Sequence, residues 1–263
     1  MAAPVTAAAI ARDLRALGVE PGDVLLAHVS LSRIAGPRSM VVGGPVAVLE
    51  GLLDTVGATG TLVMPAFSAD YSDPAEWTNP PVPRAWWPTV REHMPAWRAD
   101  RARTFKIGWV AQTFRAWRGV RRSAHPKSSF CALGPRAAEI TTDVPLDDPL
   151  GPRGPLGRLR RMGARVALIG CGFSACTAFH LAEHETAHPP ARVTSAAPMA
   201  RDGSRAWVRW SEPRYDAASF AAIGASWTGS AAPREGRVGA AETQLFELGA
   251  AVDHAVRWMD RRG

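Results

Sequence analysis

Apolar positions along the chain change period repeatedly, and each change marks an element. Thr6 is placed to cap a first helix whose stripe is Ile10, Leu14 and Leu17, with Gly18 as its stop. A Pro-Gly-Asp turn then leads into DVLLAHVS, an unbroken apolar run short enough for a buried strand. Gly43-Gly44-Pro45 opens a second helix, because proline suits the first helical position, and Leu49, Leu52, Leu53 and Val56 follow at helical spacing. Gly57 closes it, and GTLVMP reads as another buried strand. Residues 23–64 therefore spell strand, glycine loop, helix, strand, a βαβ unit.

Residues 65–106 break this rhythm. Pro65, Pro74, Pro80, Pro81, Pro83, Pro88 and Pro95 alternate with Tyr71, Trp77, Trp86, Trp87 and Trp97, and prolines this dense prevent long regular elements. The stretch reads either as a surface loop anchored by its tryptophans or as a loop that lines a ligand cleft. Helical spacing returns at IGWVAQTFRAW (107–117), and SSFCALG reads as a strand leading into PRAAEITT. PLGRLRRMGARVALIGCG repeats helix, glycine, strand; ACTAFHLAEHE (175–185) predicts a helix and AWVRW (206–210) a strand. A long terminal helix is expected from near Ala240, carrying Leu245, Leu248, Val252, Val256, Trp258 and Met259. Without an internal repeat or a linker to cut it, the chain 1–263 reads as one α/β domain with a long Pro/Trp-rich insertion at 65–106.

Composition narrows the class. Of 263 residues, 46% are apolar and 21% charged, as in a folded soluble protein. No apolar run approaches the ~18–20 residues that cross a bilayer, and the N-terminus lacks the basic start of a signal peptide. Three cysteines (Cys131, Cys171, Cys176) form neither an even disulfide set nor a zinc framework, so a cytoplasmic address and no membrane partner are expected. The net charge is +7, yet only Lys106 and Lys127 are lysines. A basic nucleic-acid-binding protein is one reading of that excess. The scattered arginines and the absence of a nucleic-acid motif argue against it, and a basic patch serves an anionic cofactor such as CoA equally well.

Three constellations carry candidate chemistry. Ser30-Leu31-Ser32-Arg33 follows a buried strand, and Val41-Val42-Gly43-Gly44-Pro45 opens a helix. Hydroxyls, bare amides and a helix start suit a phosphate or a pantetheine amide, although an ordinary strand–helix turn has the same composition. Arg121-Arg122-Ser123-Ala124-His125-Pro126 fixes His125 before a rigid turn, either to aim its ring or with no role for it. In the third, GCGFSACTAFHLAEHE, a glycine turn leads into a helix that would set Thr177, His180 and His184 on one face with Glu183 beside them. An imidazole with a carboxylate at hand suits general-base catalysis. His180, Glu183 and His184 also spell H-x-x-E-H, so a zinc hydrolase with Glu242 or Glu247 as third ligand is the rival, and a solvated polar helix face is the bland alternative. Cys171 and Cys176 read as small apolar filling.

The blocks GVEPGDVLLAHVSLSRIAG, VVGGP, LLDTVGATGTLVMPAFS, RRSAHPKSSFCALGP, DDPLGPRGPLGRL, VALIGCGFSACTAFHLAEHE and GRVGAAETQLFELGAAVDHAVRWM, in this order, resemble the aminoglycoside 3-N-acetyltransferase family. The resemblance implies an α/β fold with a central mixed β-sheet flanked by helices. It also implies acetyl transfer from acetyl-CoA, without a metal, to the 3-amino group of a 2-deoxystreptamine aminoglycoside, and hence antibiotic resistance. Ser30, Leu31, Ser32, Arg33, Val42, Gly43 and Gly44 would hold the CoA arm; His125, Thr177, His180 and Glu183 would face the transfer centre, with His180 as general base. Phe67, Asp70, Tyr71, Asp148 and Ser174 are assigned to the amine. The partners expected are CoA and the amine, with a homodimer as the candidate assembly. An aminoglycoside is a polycation, so a local acidic pocket is expected, drawn from Asp70, Asp73, Asp143, Asp147, Asp148, Glu185, Glu212 and Asp216. The chain departs from the family pattern at Ser174 and Cys176, where Asp and Asn are usual, at Ser128, often a second histidine, and at Gly154-Pro155, usually Ser-Pro. Loss of that Asp and Asn predicts weak or narrow aminoglycoside acetylation.

Overall fold

The protein is represented by a computed structural model that describes residues 3–78 and 80–262; the expected domain 1–263 also includes residues outside that description. The helices are α1 (Ala7–Leu17), α2 (Leu31–Ala35), α3 (Pro45–Val56), α4 (Trp87–His93), α5 (Trp109–Arg115), α6 (Ala137–Thr141), α7 (Pro155–Arg161), α8 (Phe179–Glu185), α9 (Phe220–Ala225) and α10 (Leu248–Asp260). The strands are β1 (Val24–Val29), β2 (Thr61–Pro65), β3 (Arg121–Arg122), β4 (Phe130–Leu133), β5 (Arg165–Ile169), β6 (Arg192–Arg201), β7 (Ser204–Pro213), β8 (Arg234–Val238) and β9 (Ala241–Glu247). Among the described residues, seven strands form one sheet in the order β3-β4-β2-β1-β5-β9-β8, and β6 and β7 form a separate hairpin. β1 runs parallel to β2 and β5, and the outer pairings are antiparallel, so the sheet is mixed as expected.

The period-2 geometry of a strand explains why the central runs are apolar throughout. Leu25 and Ala27 of β1, Leu62 and Met64 of β2, and Ala167 and Ile169 of β5 face one core, filled by Ile10, Leu14, Leu49, Leu52 and Phe114. The intervening Leu26, Val63, Val166 and Leu168 face a second core with Leu156, Leu159, Phe179, Phe220 and Val252. Both faces are covered, so the result is a single three-layer α/β domain. α1 begins and ends as its sequence implies: Ala9 N donates to Thr6 Oγ1 (3.2 Å), and Gly18 takes φ 109° while its N–H bonds the carbonyls of Leu14 and Arg15.

Two expectations are corrected. Residues from Ala241 to Glu247 are not the start of the terminal helix but strand β9, paired antiparallel with β5. Ala241, Thr243 and Leu245 alternate inward there, and α10 begins only at Leu248. The helix expected over 175–185 starts at Phe179, because Cys176 is extended (φ −73°, ψ 90°) after a 3-10 turn over Phe173–Ala175. Thr177 therefore sits on the approach to α8 rather than on its face.

Residues 65–106 form three 3-10 turns and α4, pinned by specific bonds. Trp97 donates its backbone N–H to Pro198 O (2.7 Å) and its indole N–H to Ser68 Oγ (2.9 Å), and Asp73 pairs with Arg91 at 2.8 Å. The largely buried guanidinium of Arg122 does most. It donates to Ala66 O (2.6 Å), Ala99 O (3.3 Å), Ser68 Oγ (3.1 Å) and Ser129 Oγ (2.9 Å), also bonds Ala102 O, and lies over the Trp97 ring. Burial pulls its pKa down to about 10, which still leaves it charged at neutral pH.

Arg122→Met should destabilise the protein by roughly 2–4 kcal/mol, because several carbonyls lose their donor in a dry site. Arg122→Lys should recover little, since one ammonium cannot replace a fork with five donors. Urea unfolding together with limited proteolysis of residues 65–106 checks this; a loss below ~1 kcal/mol without new cleavage would show that the insertion is held by its tryptophans instead.

Candidate active site

The parallel strands β1, β2 and β5 end on one side of the sheet, the position at which α/β sheets leave a crevice. A cavity of ≈ 310 Å³ opens there, lined by His28 and Val29 of β1, Met64 and Pro65 of β2, Phe67 and Lys106 of the insertion, Cys171, Ser174 and Thr177 after β5, and His180 and Phe220.

His180 stands on the first turn of α8, and its Nδ1 lies 2.7 Å from Glu183 Oε2. A carboxylate there accepts, so Nδ1 carries the proton and Nε2 keeps its lone pair. Glu183 is buried and held from the other side, where Oε1 accepts from Asp216 N (3.0 Å). Phe220 and Tyr215 pack edge-on against the imidazole at 4.7 and 5.3 Å. Tyr215 in turn bonds His184 Nε2 (3.0 Å), whose Nδ1 is 3.3 Å from Asp148. The imidazole is thus oriented by a carboxylate and boxed by rings.

His28 escapes sequence inspection because it hides within an apolar strand run. Its Nε2 lies 3.2 Å from Thr177 Oγ1, and burial, aided by His180 nearby, lowers its pKa to about 4. A polar residue in an otherwise apolar strand is the signal that could have found it. Lys106 was equally legible: in an arginine-rich chain with only two lysines, it lines three adjoining recesses, while Lys127 lines one of them. Burial pushes the thiols of Cys171 to about 11 and Cys176 to about 12, so both stay protonated.

The other expected residues divide. Ser30, Leu31, Ser32 and Gly44 line a groove of ≈ 580 Å³ that shares Val29, Lys106 and Ile107 with the cavity. Gly44 adopts φ 58°, and a Cβ there would meet no protein atom within 4 Å. Arg33 lines a separate recess with Gly170, Gly172 and Glu242, and Val42 and Gly43 do not line the groove. Phe67 and Ser174 line the cavity, and Asp70 lines a neighbouring recess of ≈ 470 Å³ with Trp77, Phe105 and Lys106. Burial raises the pKa values of Asp70 and of Tyr71 beside it, and Asp70 Oδ1 has no hydrogen-bond partner. Asp148 bonds Arg153 and His184 behind the cavity, not within it.

His125 is fully buried away from the cavity. Its Nδ1 accepts from the backbone N–H groups of Lys127 (3.2 Å) and Ser128 (2.8 Å), and its Nε2 lies 3.3 Å from Leu146 O. It braces its own loop and does not line the cavity. The H-x-x-E-H residues are committed to other bonds: His180 and Glu183 pair with each other, His184 bonds Tyr215 and Asp148, and Glu247 sits beside Arg165 at the far end of β5. Among the described residues, no group of three or more His, Cys, Asp or Glu side chains is arranged to hold a metal.

Burial lowers the pKa values of His28 and His125 to about 4, and it lowers those of His184 and His254 as well. An unfolded histidine titrates near 6.5, so between about pH 4 and 6.5 the unfolded chain binds more protons than the native one. Stability should be full above that window and fall through it on acidification, read as a declining urea midpoint. His125→Gln should flatten the slope; a midpoint independent of pH across the window would contradict the burial argument.

A family model described as aminoglycoside 3-N-acetyltransferase matches residues 26–260. The chain is 39% identical over 256 residues to the SPbeta prophage-derived aminoglycoside N(3')-acetyltransferase-like protein YokD of Bacillus subtilis, covering 97% of this chain and 92% of that one. The crystal structure of YokD superposes with a TM-score of 0.94 at 38% identity, covering 98% and 94% of the two chains. Aminoglycoside N(3)-acetyltransferase IX of Micromonospora chalcea is 34% identical over 98% of this chain and 95% of its own. A solved structure of AAC-IIIb, binary with CoASH, matches with a TM-score of 0.86 at 30% identity over 98% of this chain and 97% of that one. With a family match across most of its length and relatives this similar end to end, the chain belongs to the aminoglycoside 3-N-acetyltransferase family.

Proposed function

We propose that the protein transfers the acetyl group of acetyl-CoA to a primary amine by direct attack, with His180 as general base. The observation that carries this reading is the orientation of His180: Nδ1 is committed to buried Glu183, and the ring lines a cavity continuous with the Ser30–Ser32 groove. Acetyl-CoA supplies an activated thioester carbonyl, and Ser30, Leu31, Ser32 and Gly44 are the residues that would hold its arm. His180 Nε2 takes a proton from the amine as its nitrogen attacks that carbonyl. Glu183 stabilises the imidazolium, and Thr177 Oγ1, beside neutral His28, donates to the oxygen that gains charge. The carbon–sulfur bond then breaks and the proton on His180 passes to the sulfur, leaving amide and free thiol. Phe67, Phe220 and Met64 exclude water that would otherwise hydrolyse the thioester.

The relatives' names bring an aminoglycoside acetylated at N(3) as the acceptor, and the family resemblance makes that the 3-amino group of a 2-deoxystreptamine ring. Acetylation removes one cation from such an antibiotic, which is the route to resistance, and the reaction belongs in the cytoplasm, where acetyl-CoA is supplied. No described helix is long and apolar enough to cross a membrane. Asp70, Tyr71 and Ser174 are the residues proposed to meet the amine. Ser174 lines the cavity where the family pattern has a carboxylate, so aminoglycosides should bind weakly.

His180→Ala should lower kcat by ~10²–10⁴ while acetyl-CoA still binds, and Glu183→Gln should lower it less. CoA release with an aminoglycoside panel is the assay, and near-normal turnover in His180→Ala would remove the proposed base. Ser174→Asp should lower KM for aminoglycosides about ten- to a hundredfold with little change in kcat, the value of one charged hydrogen bond. Cys176 is fully buried, so Cys176→Asn should instead destabilise the fold by burying an unpaired amide. An unchanged KM in Ser174→Asp would show that this position does not read the amine.

A further inference from the structure

The groove that leads away from the catalytic cavity ends in apolar side chains left in water. Trp109, the first residue of α5, is 66% exposed and Met40 is 57% exposed, and both line the groove. Val42 and Val46, on either side of Gly44 in sequence, are also exposed. Exposed large apolar groups concentrated at one mouth mark a surface that meets a ligand. Among the described residues, Trp109 takes part in no ring–ring or ring–cation contact, unlike Trp97, Trp210 and Trp227. Its indole is not serving the fold.

The order of chemical parts along the groove identifies what it meets. On the reading proposed above, on which this inference rests, the thioester lies beside His180. The thin part of the donor then runs past Val29, Lys106 and Ile107, the residues shared by cavity and groove, and along Ser30–Ser32 and Gly44. What emerges at the lip is the nucleotide end, whose one flat π-surface is adenine. A planar base stacks on an indole face, whereas the flexible pantetheine arm cannot. We infer that Trp109, with Met40 on the same groove, is the platform for the adenine ring of the acyl donor.

Calorimetric titration of CoA and of pantetheine, which lacks the nucleotide, tests this without knowing the acceptor. Trp109→Ala should raise the Kd for CoA roughly five- to a hundredfold, the range of one base–aromatic stack, and leave that for pantetheine unchanged. Trp109→Phe should retain part of the affinity. The thermal midpoint of the free protein should not move in either variant, because the indole is mostly in solvent. CoA affinity unchanged in Trp109→Ala overturns the inference and leaves the acyl-transfer reading intact. Equal weakening of CoA and pantetheine overturns it too, by assigning the indole to the arm. Failure of the unmodified protein to bind CoA at all removes both readings.

Discussion

Much of this molecule depends on how one guanidinium is satisfied. The insertion is long, rich in proline and poor in regular structure, so its backbone carbonyls cannot pair with one another as they would in a helix or sheet. Arg122 reaches from the sheet edge and collects those of Ala66, Ala99 and Ala102 together with two serine hydroxyls. Ala66 and Ser68 flank Phe67, and Phe105 N bonds Phe67 O, so the same bonds fix the cavity wall that carries Phe67 and Lys106. A residue outside the cavity lining thereby braces part of its wall. The cation is largely buried without a carboxylate bonded to it, tolerable because each face of the fork finds an oxygen or the Trp97 ring.

A second cation, Lys127, plays the corresponding role on the hairpin side, with Glu76 at 2.7 Å, Glu212 at 2.6 Å and Ser195 Oγ at 2.7 Å. Lys127 and other basic side chains already occupy most of the carboxylates near the site. Asp73 is bound to Arg91, Glu212 to Lys127, Asp147 and Asp148 to Arg153, and Glu185 to Arg160. The acidic pocket that a polycation requires cannot be read from the number of carboxylates in the chain, because most already have partners. Asp70, which forms no ion pair among the described residues and has Oδ1 buried without a partner, lines the neighbouring recess; Glu76 there also has one oxygen unpartnered but pairs with Lys127 through the other.

This explains what was legible beforehand. Elements that bury a periodic face were readable: Thr6 to Gly18, the strand–helix–strand of residues 23–64, and the α7–β5 pair all follow from local spacing. β9 was misread because Leu245, Leu248, Val252 and Val256 do fit a helical stripe. What decides against helix at its start is the vacant edge of β5, a tertiary fact no local window contains. The hairpin β6–β7 went unread in its first strand for a similar reason, since Arg192–Arg201 is half exposed and lacks a clean alternation. At the site, His180 and Glu183 were visible because i and i+3 on a helix must be neighbours. His28 meets Thr177 from 149 residues away, and no spacing rule joins them.

That long-range meeting accounts for the division of labour between two imidazoles in one small space. His180 has a carboxylate at Nδ1, which orients its ring and leaves Nε2 facing the cavity. His28 has no carboxylate bonded to it, is buried, and has His180 as a further disincentive, so it remains neutral at working pH. On the mechanism proposed above, a charged His28 would repel the imidazolium forming on His180. Neutral, it presents only a hydrogen-bonding nitrogen to Thr177, leaving that hydroxyl positioned without adding charge. Two imidazoles lining one cavity thus meet different surroundings, one at the end of a buried strand bonded to a hydroxyl, the other on a helix that supplies its own carboxylate.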